Sequence, residues 1–182
     1  MNAASLIDYF GMKPHPEGGF YVQTYKSAGS FSQTALSEVW KNHVFSTGIL
    51  FLLNSGSYSH LHRLRQDEMW HFYLGGPLRL AMLHPDGRSQ EIILGTDVLH
   101  GQQVQYVVPA GTWFGATHCS GSSFALVGCT VAPGFEFTDF ELAQREQLLA
   151  HYPAAYAMIT EFTLPTAEEY TQTRGSTVQQ NL

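Results

Sequence analysis

Charge is scarce in this 182-residue chain: 13% of residues are Asp, Glu, Lys or Arg, against 44% hydrophobic. So apolar and weakly charged a composition excludes a disordered chain. The length suits one domain, able to bury roughly 70% of its unfolded surface. Cysteine is scarcer still. The two present, Cys119 and Cys129, flank an expected hairpin turn at residues 120–122, which sets them roughly 20 Å apart along extended chain. A disulfide needs Cα atoms within about 7 Å. Both are therefore read as reduced thiols that pack as small apolar side chains, consistent with a cytoplasmic protein. Long apolar runs are missing: the longest, residues 48–53, falls far short of a membrane span. No basic stretch followed by an apolar run opens the chain, so no secretory signal is expected. Positive charge is the minority sign, with 9 Lys and Arg against 15 Asp and Glu and a net charge of −6. An acidic surface repels phosphate backbones and argues against a nucleic-acid partner.

What is present is a succession of short β-rich runs. After an expected helix at 6–10, stopped by Gly11 and Pro14, a turn-rich His15-Pro16-Glu17-Gly18-Gly19 leads into a strand at 20–26. Residues 27–43 read as a polar loop with one short helical turn. Eight further strands follow, at 44–54, 58–64, 68–74, 78–84, 90–94, 103–108, 113–118 and 124–131. Their separators include Gly75-Gly76-Pro77, Pro85-Asp86-Gly87 and Pro109-Ala110-Gly111. Short strands so punctuated, with no helix between them, predict an all-β sandwich or barrel and exclude a parallel α/β sheet. Thr138 and Glu141 have capping-box spacing and predict a helix from 138. Pro153 opens a second, and the last ten residues are expected to fray. The organisation is an N-terminal helix, edge strand and loop (1–43), a barrel core (44–135), and C-terminal helices and tail (136–182), all one domain.

The densest polar cluster lies between Gly56 and Gly75. His60 and His62 are two apart, which on a strand puts both imidazoles on one face. Glu68 opens the next strand, and two imidazoles with a carboxylate converging from adjacent strands can bind a divalent metal. If Glu68 points inward, Trp70 and Phe72 do too, and Met69, His71 and Tyr73 point outward. His71 then shares a site with Glu68 only across a bulge.

His60-Leu61-His62 with Glu68 and Gly75 resembles the first cupin motif, with one extra residue before Glu68. Pro109-Ala110-Gly111 resembles the turn of the second, but Phe114 stands where that motif has a histidine, so the usual three-His, one-Glu ligand set is incomplete. His15-Pro16-Glu17-Gly18-Gly19, Leu61-His62-Arg63, Trp70-His71-Phe72-Tyr73, Trp113-Phe114-Gly115 and Gly128-Cys129-Thr130-Val131-Ala132-Pro133-Gly134-Phe135 together resemble the fifth cupin family, of unknown function. The resemblance runs from about His15 to Tyr152. It implies a jelly-roll barrel (the cupin double-stranded β-helix, RmlC-like) with short terminal helices, a dimer, and no settled activity. It also implies that His62, Arg63, Glu68 and His71 belong to the motif.

Three functions fit these residues. One is a metal-free enzyme similar to the cupin keto-sugar epimerases, with His62 as base, Glu68 orienting it or stabilising charge, and Tyr73 or Tyr106 as acid. Another is a metal-dependent oxygenase or isomerase using His60, His62 and Glu68. The third is a non-catalytic cupin that binds a small polar molecule. Enzyme and carrier stay open. Candidate ligand contacts are Glu17 over the barrel mouth, Arg63 and Arg65 toward an anionic substrate, and His71, Thr130 and one of Gln102, Gln103 or Gln105. Trp70, Phe72, Trp113 and Phe114 are candidate pocket walls. The strand at 20–25 is a candidate edge for homodimer pairing.

Overall fold

Residues 1–31, 40, 43–119 and 121–164 are described by the computed structural model of the chain. Helix α1 (Ala3–Phe10) starts where the Asn2 side chain accepts a hydrogen bond from the Ser5 N–H, and it stops where Gly11 turns left-handed. The rest of the described chain is dominated by two antiparallel sheets. One has six strands in the order β1 (Lys13–Pro14), β2 (Phe20–Lys26), β3 (Thr47–Asn54), β10 (Phe124–Ala132), β5 (Asp67–Gly75), β8 (Gln105–Val108). The other has five: β11 (Glu141–Leu142), β4 (Tyr58–Arg63), β9 (Trp113–His118), β6 (Leu78–Leu83), β7 (Ser89–Leu94). Strand β10 lies between β3 and β5, and β9 between β4 and β6, so sequence neighbours are separated by a returning strand as in a jelly roll.

The sheets face each other over a core to which Phe51, Trp70 and Val127 come from the six-stranded sheet and Leu80, Met82 and Phe114 from the five-stranded one. Each large side chain so buried contributes about 1.5–3 kcal/mol. The five-stranded sheet is covered on its outer face as well. Leu61, Ala81, Leu83 and Trp113 pack there against Leu148, Ile159 and Phe162 of α2 (Arg145–His151) and α3 (Tyr156–Phe162). This is why β6 is apolar on both faces apart from Arg79.

The strand expectations hold to within a few residues. The helix expected from 138 does not form. Residues Phe137–Asp139 make a single 3-10 turn, β11 follows, and α2 begins only at Arg145. Tertiary contacts outweigh the local capping signal: the buried Asp139 carboxylate accepts from His43 Nε2 at 2.8 Å and from Gln66 Nε2 at 2.7 Å, and Phe140 stacks on His62. The segment from Phe135 to Phe140 therefore roofs one end of the sandwich. The helix expected from Pro153 is a 3-10 turn (Pro153–Ala155) continued by α3. The helical turn expected within 27–43, the Ser120 turn residue and the frayed tail lie outside the described residues at 32–39, 41–42, 120 and 165–182. Cys119 is half-buried, Cys129 is buried, and both are free thiols. Among the described residues no helix is long and apolar enough to cross a membrane.

Candidate functional site

The site begins with the turn before β2. His15 N–H donates to Gly19 O at 3.1 Å and Gly18 N–H to His15 O at 3.0 Å, folding residues 15–19 back on themselves. Gly18 has φ 108°, and a Cβ there would lie 2.0 Å from the Tyr58 carbonyl oxygen. Only glycine lets the turn lie this close to β4. On the other side of that contact, the Glu17 carbonyl accepts from the backbone N–H of His60 at 2.8 Å and from its Nδ1 at 2.7 Å. The clamp aims the Glu17 side chain between the sheets.

There, Glu17 Oε1 accepts from the Ser59 hydroxyl at 2.9 Å. Its Oε2 lies 3.3 Å from His62 Nε2 and 3.2 Å from His15 Nδ1. His62 Nδ1 donates to the His60 carbonyl at 2.8 Å, so the other ring nitrogen, Nε2, faces the carboxylate. Burial pushes the Glu17 carboxyl up, but the His62 and His15 imidazoles and the Ser59 hydroxyl outweigh it and hold Glu17 below the usual carboxylate range. For His62, burial dominates over the attraction of Glu17, and its pKa is lowered. Glu17 is thus an anion at neutral pH, facing the Nε2 edge of the His62 imidazole.

Glu68 projects from the opposing sheet. Its Oε2 accepts from Trp70 Nε1 at 3.1 Å, and the Cys129 thiol donates to it. Burial, reinforced by the charge of Glu17, pushes Glu68 up to about 8. Cys129 is itself held as a thiol by burial and by the neighbouring Glu68 and Glu17. Glu17, His62 and Glu68 line one cavity of about 230 Å³. Tyr21, Gln23 and Lys26 form one wall, and Phe135, Phe137 and Phe140 form the roof. Two carboxyl groups, one ionised and one protonated at neutral pH, share a mostly apolar chamber with an imidazole. That combination can accept a proton at one wall and supply one from the other.

The other sequence candidates fall elsewhere. Tyr73, proposed as the acid, is half-exposed on the outer face of the six-stranded sheet, where its ring lies across Gly128. His71 is on that face too, with Nε2 3.2 Å from Thr130 Oγ1 and Nδ1 3.1 Å from Gln105 Nε2. β5 and β10 pair in register from Asp67 to Phe72 and shift only at Tyr73, so strand parity keeps His71, Gln105 and Thr130 away from the cavity, while Tyr73 is placed outside by its contact with Gly128. Trp70 is in the core behind Glu68, and Tyr106 packs at the core edge without lining the cavity. Arg63 pairs with Glu141 through Nε and a terminal nitrogen, each 2.7 Å from Oε2, and lies over Trp113 at 4.5 Å. Arg63, Arg65 and Trp113 are therefore outside the chamber. Phe114 lies under His62, with ring centroids 4.1 Å apart.

His60, His62 and Glu68 do not make a metal triad. The pairing of β4 with β9 shifts register between Ser59 and His62, so Ser59 and His62 both reach Glu17 while His60 spends its Nδ1 on the Glu17 carbonyl. Phe114 fills the place beside His62 where a third imidazole would stand. Among the described residues no group of three His, Cys, Asp or Glu side chains is disposed to hold a metal ion. Sequence reasoning passed over His15, Cys129, Gln23, Lys26 and the roof phenylalanines. His15 stands two residues from Glu17 in a turn already singled out, which was a usable signal. Of the roof residues, Phe140 lay inside a segment assigned to a helix, and Phe135 inside the barrel core.

The family model described as Cupin superfamily (DUF985) matches residues 4–143. The chain belongs to this cupin family. The crystal structure of protein SO0799 from Shewanella oneidensis is similar, at 38% identity and a TM-score of 0.82, covering 91% of this cupin and 99% of that chain. So is a hypothetical protein from Leishmania major, at 33% identity and a TM-score of 0.82, covering 91% and 100%. The uncharacterized protein YML079W of Saccharomyces cerevisiae (strain ATCC 204508 / S288c) is 26% identical over 159 residues, which is 80% of this cupin and 77% of the yeast protein.

Proposed function

We propose that this cupin catalyses metal-free proton transfer on a small polar carbonyl compound, an isomerase- or epimerase-type reaction. The observation that carries the reading is the pair of buried carboxyls in one cavity, Glu17 held low and Glu68 raised to about 8. In the forward half, a C–H proton beside the substrate carbonyl moves to His62 Nε2, and the imidazolium so formed is balanced by Glu17 at 3.3 Å. The Glu68 proton passes to the carbonyl oxygen, so the electron pair of the broken C–H bond ends in the double bond of an enol, or of an enediol where that carbon bears a hydroxyl. On an α-hydroxy carbonyl compound His62 then returns its proton to the former carbonyl carbon while the neighbouring hydroxyl proton passes to Glu68, which gives the isomer and restores both groups. The acid and base project from opposing sheets, as a two-sided transfer requires. The largely apolar chamber strengthens each charge interaction.

Solvent-deuterium incorporation tests this. Keto sugars and 2-keto acids are incubated with the protein in heavy water and followed by proton NMR. The expected result is enzyme-dependent exchange at a carbon beside a carbonyl, reduced about 10²- to 10⁴-fold in Glu17→Gln and Glu68→Gln. The exchange rate should fall as pH rises through about 8, where Glu68 loses its proton. A compound that raises the melting temperature with no exchange in any member of the panel would overturn the reading in favour of a non-catalytic binding cupin.

A further inference from the structure

Strand β2 carries the cavity wall from the Glu17 end to the mouth, and its parity breaks on the way. Tyr21 pairs with Phe51 and Gln23 with Ile49; the register then shifts, so that Tyr25 pairs with Gly48 and Lys26 with Thr47. In an unbroken strand Tyr21, Gln23 and Tyr25 would share a face and Lys26 would take the other. The extra residue, Thr24, resets the alternation. Tyr21, Gln23 and Lys26 consequently all line the cavity, and Tyr25 stands outside, over Gly48. The inner end of this ladder is fixed by Tyr21, edge-on to His15 at 4.7 Å.

Lys26 is the only lysine or arginine lining the cavity among the described residues. Its Nζ is 3.5 Å from Glu136 Oε1, and both side chains are about half-exposed. A pair this long and this exposed contributes little, so an incoming anion can replace the Glu136 carboxylate at small cost. At the inner end, ionised Glu17 rejects negative charge. A ligand with one anionic group is therefore oriented, with its neutral carbonyl end toward Glu17, His62 and Glu68 and its anion toward the mouth.

We infer that Lys26 is the anion-recognition residue of this cavity, and that the molecule bound there carries a carboxylate or phosphate, for which the Glu136 carboxylate is the resident substitute. This deepens the proposed function by naming a substrate class, and it rests on the same cavity being the binding site.

Equilibrium binding tests it without requiring turnover. Titration calorimetry compares pyruvate with pyruvamide, and dihydroxyacetone phosphate with dihydroxyacetone, on the full chain. The expected result is that at least one anion binds about five- to tenfold more tightly than its neutral partner, and which pair discriminates tells carboxylate from phosphate. Lys26→Met should abolish the difference, Lys26→Arg keep it, and Glu136→Gln enlarge it several-fold. No anion preference in any pair, a preference that survives Lys26→Met, or weaker anion binding in Glu136→Gln overturns the inference. Anion-selective binding without deuterium exchange leaves it standing while the catalytic reading falls. Equal exchange on charged and neutral compounds, unchanged in Lys26→Met, does the reverse.

Discussion

Glu17 and Glu68 differ in what surrounds them. Two imidazoles and a hydroxyl face Glu17, whereas Glu68 has an indole N–H, a thiol and apolar walls. The consequence for stability has a definite sign. Unfolded, Glu68 titrates near 4.5, and folded it titrates near 8. Between those values the native protein keeps a proton that the unfolded chain has released, so this group lowers stability as pH rises through the window and its effect levels off above it. Each unit of difference is worth about 1.4 kcal/mol, so the total is on the order of a few kcal/mol. Glu17 acts oppositely: its contribution is present above the ordinary carboxylate range and is lost as pH falls through its lowered value. His62, also lowered, costs stability as pH drops below 6.5. The expected outcome is that the gain in stability of Glu68→Gln over the natural protein grows from pH 5 to pH 8. Urea unfolding at several pH values measures it, and a constant difference would mean that Glu68 is ionised in the folded protein.

At the scale of elements, the turn at residues 15–19 and the irregularities in β2 and β4 decide which side chains meet. Gly18→Ala is expected to cost about 2 kcal/mol or more in urea unfolding and to abolish deuterium exchange, because the new methyl would lie 2.0 Å from the Tyr58 oxygen. Gly56→Ala is the control. It shares a positive φ, 79°, but meets nothing within 4 Å, so only the backbone penalty of about 1 kcal/mol applies and exchange survives. These elements also mark how far the sequence could be read. Strand spans were legible because hydrophobic runs and turn residues report them directly, and the facing of Trp70 and His71 followed from parity. Parity failed where an extra residue enters a strand. His60 and His62 were expected to share a face, and nothing local to Ser59-His60-Leu61-His62 signals the register shift that instead pairs Ser59 with His62 around Glu17. The helix expected from Thr138 failed for the opposite reason: its local signal was genuine, but Asp139 and Phe140 gain more from His43, Gln66 and His62 than a helical turn would give them. Cys129 acquires its role only from a partner far away in sequence, Glu68.

At the scale of the whole molecule, the two thiols report on different depths of the fold. Cys119 is half-buried at the end of β9, and Cys129 is buried between the sheets. With a thiol-specific reagent too bulky to enter the chamber that Cys129 lines, Cys119 is expected to react directly in native buffer, and Cys129 only at the rate at which the sandwich opens, so that rate should track global stability as urea is added. Two equally fast thiols would mean that the chamber opens locally. The proposed acid and base, meanwhile, belong to different sheets, Glu68 to β5 and His62 to β4. Residues 64–66 join the two strands at one end, and the thickness of the packed layer sets how far apart their side chains stand. Val127 and Met82, buried in that layer, therefore act as spacers in a caliper, and trimming either one changes the separation across which the proposed transfer would run.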